Sequence, residues 1–245
     1  FSDGTSREVE IIHRQLYGKR EKLEVRVDGR VENVVVQVSR GGRPTVAIGG
    51  GGEGASNVSF ITYNMVDALG TAEEVYSTLV SRGGPSAKSA VVEALKAEYE
   101  ALRDIEVLVT HDVPILYFVF KDMSIPYYVA SDGLRYASLI LMSLFAREGG
   151  TIIIEEPEVR MHPNLIDVII DAIVRAYREG RNQLFISTHS FDLLYHLPLK
   201  ARDELGSEEL KVYRIHNDGG IVKTSAYSLS EAVEAVADLE LDIRR

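Results

Sequence analysis

Between Thr151 and Ser187 the sequence reads strand, helix, strand, and that order dictates a parallel sheet. Thr151-Ile152-Ile153-Ile154 is a continuous apolar run, the pattern of a parallel strand covered on both faces. Pro163 suits the first turn of a helix, and Ile166, Ile169, Ile170, Ile173 and Tyr177 fall on one face of it before Gly180. Leu184-Phe185-Ile186-Ser187 then reads as a second buried strand. Two parallel neighbours need a crossover of this length. The expected fold class is therefore α/β, a mixed sheet with flanking helices and a β-rich lobe.

The rest of the chain extends this frame. Ser131 or Asp132 caps a helix with Leu134, Ala137, Leu141 and Leu144 on one face, ended by Gly149-Gly150. Phe191 to Leu197 reads as a short helix closed by Pro198, and Leu210 to His216 with Ile221 to Ser225 as a hairpin. Ser228 and Glu231 cap a last amphipathic helix. Earlier, Leu23 to Val27 and Val31 to Val38 flank Asp28-Gly29, a hairpin signal, and Pro44 to Ile48 and Val58 to Tyr63 read as further strands. Thr71 and Glu74 suit a capping box, and Pro85-Ser86 starts a helix expected to run to Arg103. Ile105 to Thr110 and Ile115 to Phe120 read as strands. The division implied is a β-rich lobe with a helical arm over residues 1–104 and a core over 105–245.

Composition removes several classes. At 45% hydrophobic and 26% charged residues the chain is neither disordered nor fibrous, and its 245 residues can bury a sizeable core. The longest apolar stretch, Tyr136 to Ala146, is well short of the ~20 residues that span a bilayer, so no membrane insertion is expected. No secretory signal pattern opens the chain, and a cytoplasmic location is expected. A net charge of −10 opposes broad sequence-independent binding to nucleic acid, and the absence of cysteine removes thiolate chemistry.

The chemistry concentrates in three places. Glu155-Glu156-Pro157-Glu158 follows the apolar strand directly. Adjacent carboxylates at the end of a buried strand are costly unless a cation binds them. Successive strand side chains point opposite ways, so one carboxylate can reach a metal ion while the other orients a water. Ser187-Thr188-His189-Ser190 ends the next strand, placing His189 on the same rim, where open α/β sheets bind ligands. Ser131-Asp132-Gly133 opens a helix, and a helix N-terminus favours an anion.

Taken in order, these motifs resemble the ATP-binding-cassette class of P-loop ATPases, closest to the soluble SMC-like and overcoming-lysogenization-defect-like ATPases of AAA type. Ser131-Asp132-Gly133 matches that family's signature, Ile152 to Glu156 its Walker B strand, Met161-His162-Pro163 its D-loop, and His189 its switch histidine. The resemblance covers residues 105–245, and Asp242-Ile243-Arg244 is similar to the family's ending. It implies that ATP and Mg²⁺ are the cofactors. Glu155 would hold Mg²⁺, Glu156 would polarise the attacking water, and His189 would sense the γ-phosphate. Ser131, Asp132 and Gly133 would face ATP on an opposite subunit, making a nucleotide-sandwiched homodimer.

The resemblance lacks one part. The family's phosphate loop is Gly-x-x-x-x-Gly-Lys-Ser/Thr, and the nearest string is Gly49-Gly50-Gly51-Gly52-Glu53-Gly54-Ala55-Ser56. It keeps both glycines and Ser56, a candidate Mg²⁺-side and nucleotide residue, but carries Ala55 for lysine and adds Glu53. Either this loop is degenerate, or the phosphate loop lies upstream of Phe1. The function expected is an ATPase subunit, or its C-terminal part, driving a nucleic-acid-processing or defence assembly with a nucleic-acid or nuclease partner. The alternative is a pseudo-ATPase dimerisation module with vestigial nucleotide binding.

Overall fold

A computed structural model describes residues 58–146, 149–180, 182–218 and 221–238, and before them the strands at 9–16, 20–27, 30–38 and 44–49. These first strands are β1 (Val9–Leu16), β2 (Arg20–Val27), β3 (Arg30–Val38) and β4 (Pro44–Gly49), one antiparallel sheet in the order β1-β2-β3-β4. Val27 pairs with Arg30; the Asp28-Gly29 turn expected from the sequence lies outside the described residues. The strand at Val9–Leu16 has no counterpart in the sequence reading.

The parallel sheet consists of β5 (Val58–Ile61), β9 (Thr151–Glu155) and β10 (Gln183–Ser187), with β9 in the centre. Ile61 pairs with Ile154, and Ile154 with Ile186, so all three strands end on one rim. Ile152 and Ile154 are fully buried. The expectation that β10 is buried on both faces is corrected: its residues alternate, and Phe185 is 51% exposed. Its Leu184 and Ile186 face packs on the core, while among the described residues β10 is the end strand of the sheet.

Around this sheet lie α1 (Thr71–Thr78), α2 (Gly84–Lys96), α3 (Asp132–Phe145), α4 (Pro163–Gly180) and α5 (Phe191–Glu204). An antiparallel sheet of β6 (Leu102–Thr110), β7 (Val113–Phe120) and β8 (Ser124–Pro126) adds Ile105, Leu116 and Phe118 to the same core. A hairpin of β11 (Lys211–Asp218) and β12 (Ile221–Ser228) leads into α6 (Leu229–Val233). α3 is the central helix. It meets α1, α2, α4, β5 and β9, which explains why nearly every face of it is buried. The core takes residues from both sides of position 104, among them Ile61, Val91 and Leu95 together with Tyr136 and Ile152.

Three local expectations are corrected. α2 stops at Lys96 rather than Arg103, because Leu102 and Ile105 turn into the core as strand residues. α1 has no Thr71–Glu74 box: Gly70, at φ 75°, takes the N-cap position and Thr71 becomes the first helical residue. α5 continues through Pro198 to Glu204. A helix-interior proline costs about 3 kcal/mol, and the turn beyond it is retained by packing, since Ala201 is fully buried against Leu229 and Val233. The Ser228–Glu231 capping box is present as expected. Among the described residues no helix is long and apolar enough to cross a membrane.

Candidate active site

The rim at the ends of β5, β9 and β10 gathers the chemistry. β9 ends at the exposed Glu155, whose carbonyl accepts a hydrogen bond from Tyr136 Oη at 2.5 Å. Tyr136 is itself fully buried on α3, and burial followed by the nearby glutamates raises its pKa well above the usual tyrosine range. It stays a neutral donor at any physiological pH.

Glu156 leaves the strand alternation altogether. Its φ is +44°, in the left-handed region that costs a non-glycine residue of order 1 kcal/mol or more. Its own N–H donates to Ser187 O at 2.9 Å, which fixes the turn against β10. The result is a half-buried carboxylate aimed along the rim, 3.7 Å from His189 Nε2. The His189 ring is 91% exposed, open to whatever approaches the rim.

Glu158 is folded back onto the following turn. Its Oε1 accepts from Thr188 Oγ1 at 2.6 Å, Ser190 N at 3.1 Å and His189 N at 3.3 Å. Ser190 caps α5, its Oγ accepting from Leu193 N at 3.3 Å. The chain after Glu158 turns again at Arg160, at φ +61°, before His162 and Pro163 begin α4.

The start of α3 is tied into the same rim. Ser131 is exposed and N-caps the helix by accepting from Leu134 N at 3.5 Å. Asp132 has both oxygens engaged, from Tyr63 Oη at 2.9 Å and from Arg135 Nη1 at 3.4 Å. Arg135 is buried, donates to Val66 O and Asp67 Oδ1 at 2.7 Å each, and lies over the Tyr127 ring. Tyr63 also meets Tyr136 edge-on at 5.6 Å, linking Asp132 to the strand end that carries Glu155. Gly133 is buried under the loop after β9, where an added Cβ would stand 2.8 Å from Arg160 O.

The structure thus brings Glu155, Glu156 and His189 onto one rim, and joins Asp132 and Gly133 to it through Tyr63, Tyr136 and Arg160. Ser56 lies outside the described residues. Among the described residues no group of three or more ligating side chains gathers. Glu155 offers a hard carboxylate oxygen, the donor type that suits Mg²⁺, an ion that keeps several waters and takes few protein ligands. Sequence reasoning gave no role to Tyr63, Tyr136 or Glu158. Glu158 stood within the acidic run, whereas the tyrosines carry no local signal, since their roles come from residues up to 69 positions away.

A parallel sheet flanked by helices, with acidic and histidine turns at the strand ends, is an architecture similar to that of SMC head domains. Residues 121–194, the block that runs from before Ser131 to beyond His189, match the family model "AAA domain, putative AbiEii toxin, Type IV TA system". The chain is similar to an uncharacterized protein of Methanocaldococcus jannaschii, 25% identical over 113 residues, which are 46% of this chain and 97% of that one. Its fold is similar to the SmcHead bound to the C-winged helix domain of ScpA, with 8% identity, TM-score 0.55, and 87% of this chain and 76% of that one covered. It is also similar to the Pyrococcus furiosus Smc head domain with an extended coiled coil bound to the C-terminal domain of ScpA, with 8% identity, TM-score 0.51, and coverage of 91% and 81%. The part of the chain that matches the AAA domain is the part that carries the rim of Glu155, Glu156 and His189.

Proposed function

We propose that the full protein binds and hydrolyses Mg²⁺-ATP on this rim and couples hydrolysis to a nucleic-acid-processing or defence assembly in the cytoplasm. The observation that carries the reading is Glu156, held at φ +44° with its carboxylate 3.7 Å from His189 Nε2. That backbone conformation turns the carboxylate out of the strand and onto the histidine's side of the rim. Bound Mg²⁺-ATP supplies the phosphoanhydride and the charge neutralisation that phosphoryl transfer needs. Glu155 holds the metal ion, directly or through water. Glu156 orients and polarises the attacking water, and His189 senses the phosphate that leaves. Ser131, exposed on the N-terminus of α3, contacts nucleotide held by a second copy, while Gly133 and Asp132 set the shape of that helix start. The active unit is then a homodimer closed on ATP.

Of the two positions open to the phosphate loop, the degenerate Gly49 run and a segment upstream of residue 1, this reading takes the second, and three features support it. β4, the strand before the Gly49 run, pairs antiparallel with β3 and does not join the parallel sheet. A phosphate loop follows a sheet strand and opens a helix, whereas the next described element here is strand β5. Among the described residues β10 is the end strand of the sheet, which leaves its outer edge for a further strand. A second reading, a pseudo-ATPase interaction module, is favoured by Ala55 in place of the lysine. ATP turnover by the full-length protein separates the two: hydrolysis abolished by Glu156→Gln, with nucleotide binding kept, supports the ATPase, and its absence in wild type supports the module.

A further inference from the structure

We infer that Glu158 is a positioning residue that fastens the turn carrying His189 to the loop carrying Glu156, so that the two groups face the same point. This rests on the ATPase reading above and adds a residue to it. Glu158 belongs to the loop after β9, two positions beyond Glu156, yet the three hydrogen bonds its carboxylate accepts all come from the other turn, through Oε1. Oε1 receives the Thr188 hydroxyl at 2.6 Å and the backbone N–H groups of Ser190 at 3.1 Å and His189 at 3.3 Å. Hydrogen bonds to an ionised oxygen are roughly twice as strong as neutral ones. The negative charge also lies at the N-terminus of α5, where the helix dipole favours it.

Backbone pairing alone does not extend this far. The β9–β10 ladder ends at the Glu155–Ser187 pair, and the Glu156 N–H to Ser187 O bond is its last rung. Beyond that rung no ladder pair joins the two segments: residues 156–162 lead to α4 and residues 188–190 to α5. Glu158 ties them together. The 3.7 Å approach of Glu156 Oε1 to His189 Nε2 is set on one side by the Glu156 turn and on the other by the N–H groups that Glu158 holds. An aspartate would be one methylene short of the same three donors. Glutamine retains an acceptor oxygen at the right reach, so it separates geometry from charge.

The test compares Glu158→Ala and Glu158→Gln with wild type in the full-length protein, by amide hydrogen exchange and by steady-state ATP hydrolysis. In Glu158→Ala the amide of His189 is expected to exchange about tenfold faster or more, that of Ser190 by less because it also donates to Thr188 Oγ1 at 3.0 Å, while those of Ile152 and Ile154 in β9 stay protected and report an intact fold. Glu158→Gln is expected to restore most of the protection. Unchanged exchange at His189 and Ser190 in Glu158→Ala overturns the tie. On turnover, Glu158→Ala is expected to lose about tenfold or more in kcat with KM for ATP within about twofold, and Glu158→Gln to recover most of kcat. Wild-type kcat in Glu158→Ala, or an equal loss in both variants, overturns the positioning role. A wild-type protein that hydrolyses no ATP refutes the ATPase reading instead, and the exchange comparison still decides whether Glu158 holds the turn.

Discussion

At the scale of single residues, backbone conformation and close approach carry the argument. Glu156 pays for its left-handed φ of +44° with the Ser187 hydrogen bond, and gains a carboxylate turned out of the strand toward His189. Glu156→Gln keeps the shape and removes the carboxylate proposed as the base. ATP turnover is expected to fall by about 10²- to 10⁴-fold, the range of a positioned general base, while ATP affinity measured by calorimetry changes by less than about tenfold. Gly133 answers to a different constraint. Its neighbour across the gap is backbone, Arg160 O, 2.8 Å from where a Cβ would sit, and backbone yields less readily than the end of a side chain. Gly133→Ala is expected to destabilise the protein by about 1–3 kcal/mol, as overpacking does, and urea unfolding checks it. An unchanged midpoint would show that the loop at Arg160 simply moves aside. Ser131→Ala at the exposed neighbouring position loses a cap, and costs about 1 kcal/mol.

At the scale of elements, what was legible in the sequence was what local pattern determines. The β9–α4–β10 unit stood out because an apolar strand, a one-faced helix and a second strand each follow their own period over consecutive residues. The Ser228–Glu231 box was legible for the same reason, since both partners lie within one turn. α5 was not, because Pro198 argues locally for a stop and only the distant Leu229 and Val233 supply the packing that overrides it. The Thr71 box failed because Gly70 can adopt the left-handed start that Thr71 would otherwise have had to cap. The α6 box gives a pH prediction. The Ser228 backbone N–H, and then its hydroxyl, hold the Glu231 carboxyl below the usual glutamate value of 4.5. A depressed folded-state pKa contributes stability above the unfolded value and loses it as pH falls through the folded one. Glu231→Gln should therefore lower the melting temperature at neutral pH, and the gap to wild type should close as pH drops below about 4. A gap that is constant with pH would show that the carboxylate's charge plays no part.

At the scale of the molecule, the rim was legible as an ordered set of motifs, but its wiring was not. Tyr63, Arg135 and Tyr136 reach it from β5's end and from within α3, and such contacts leave no mark on any window of sequence. The same scale decides whether residues 1–245 hold nucleotide by themselves. In the proposed site ATP would carry several negative charges into a rim whose described acidic groups include Asp132, Glu155, Glu156 and Glu158, on a chain of net charge −10. Repulsion of that kind is offset in P-loop proteins by a lysine and a cradle of backbone N–H groups. The Gly49 run has Ala55 in the lysine position and adds Glu53. Micromolar affinity needs about −8 kcal/mol and millimolar only about −4, and the difference is the share expected of the missing contacts. Calorimetric titration of residues 1–245 with Mg²⁺-ATP is therefore expected to show binding no tighter than about millimolar, and the full-length protein to bind in the micromolar range. In the full-length Glu156→Gln variant, where ATP persists, sedimentation should show a shift to dimer on adding Mg²⁺-ATP, and Ser131→Arg should abolish the shift without weakening binding to the monomer. Micromolar binding by residues 1–245 alone would make the Gly49 run a working phosphate site without its lysine. A dimer indifferent to Ser131→Arg would move the interface away from the N-terminus of α3.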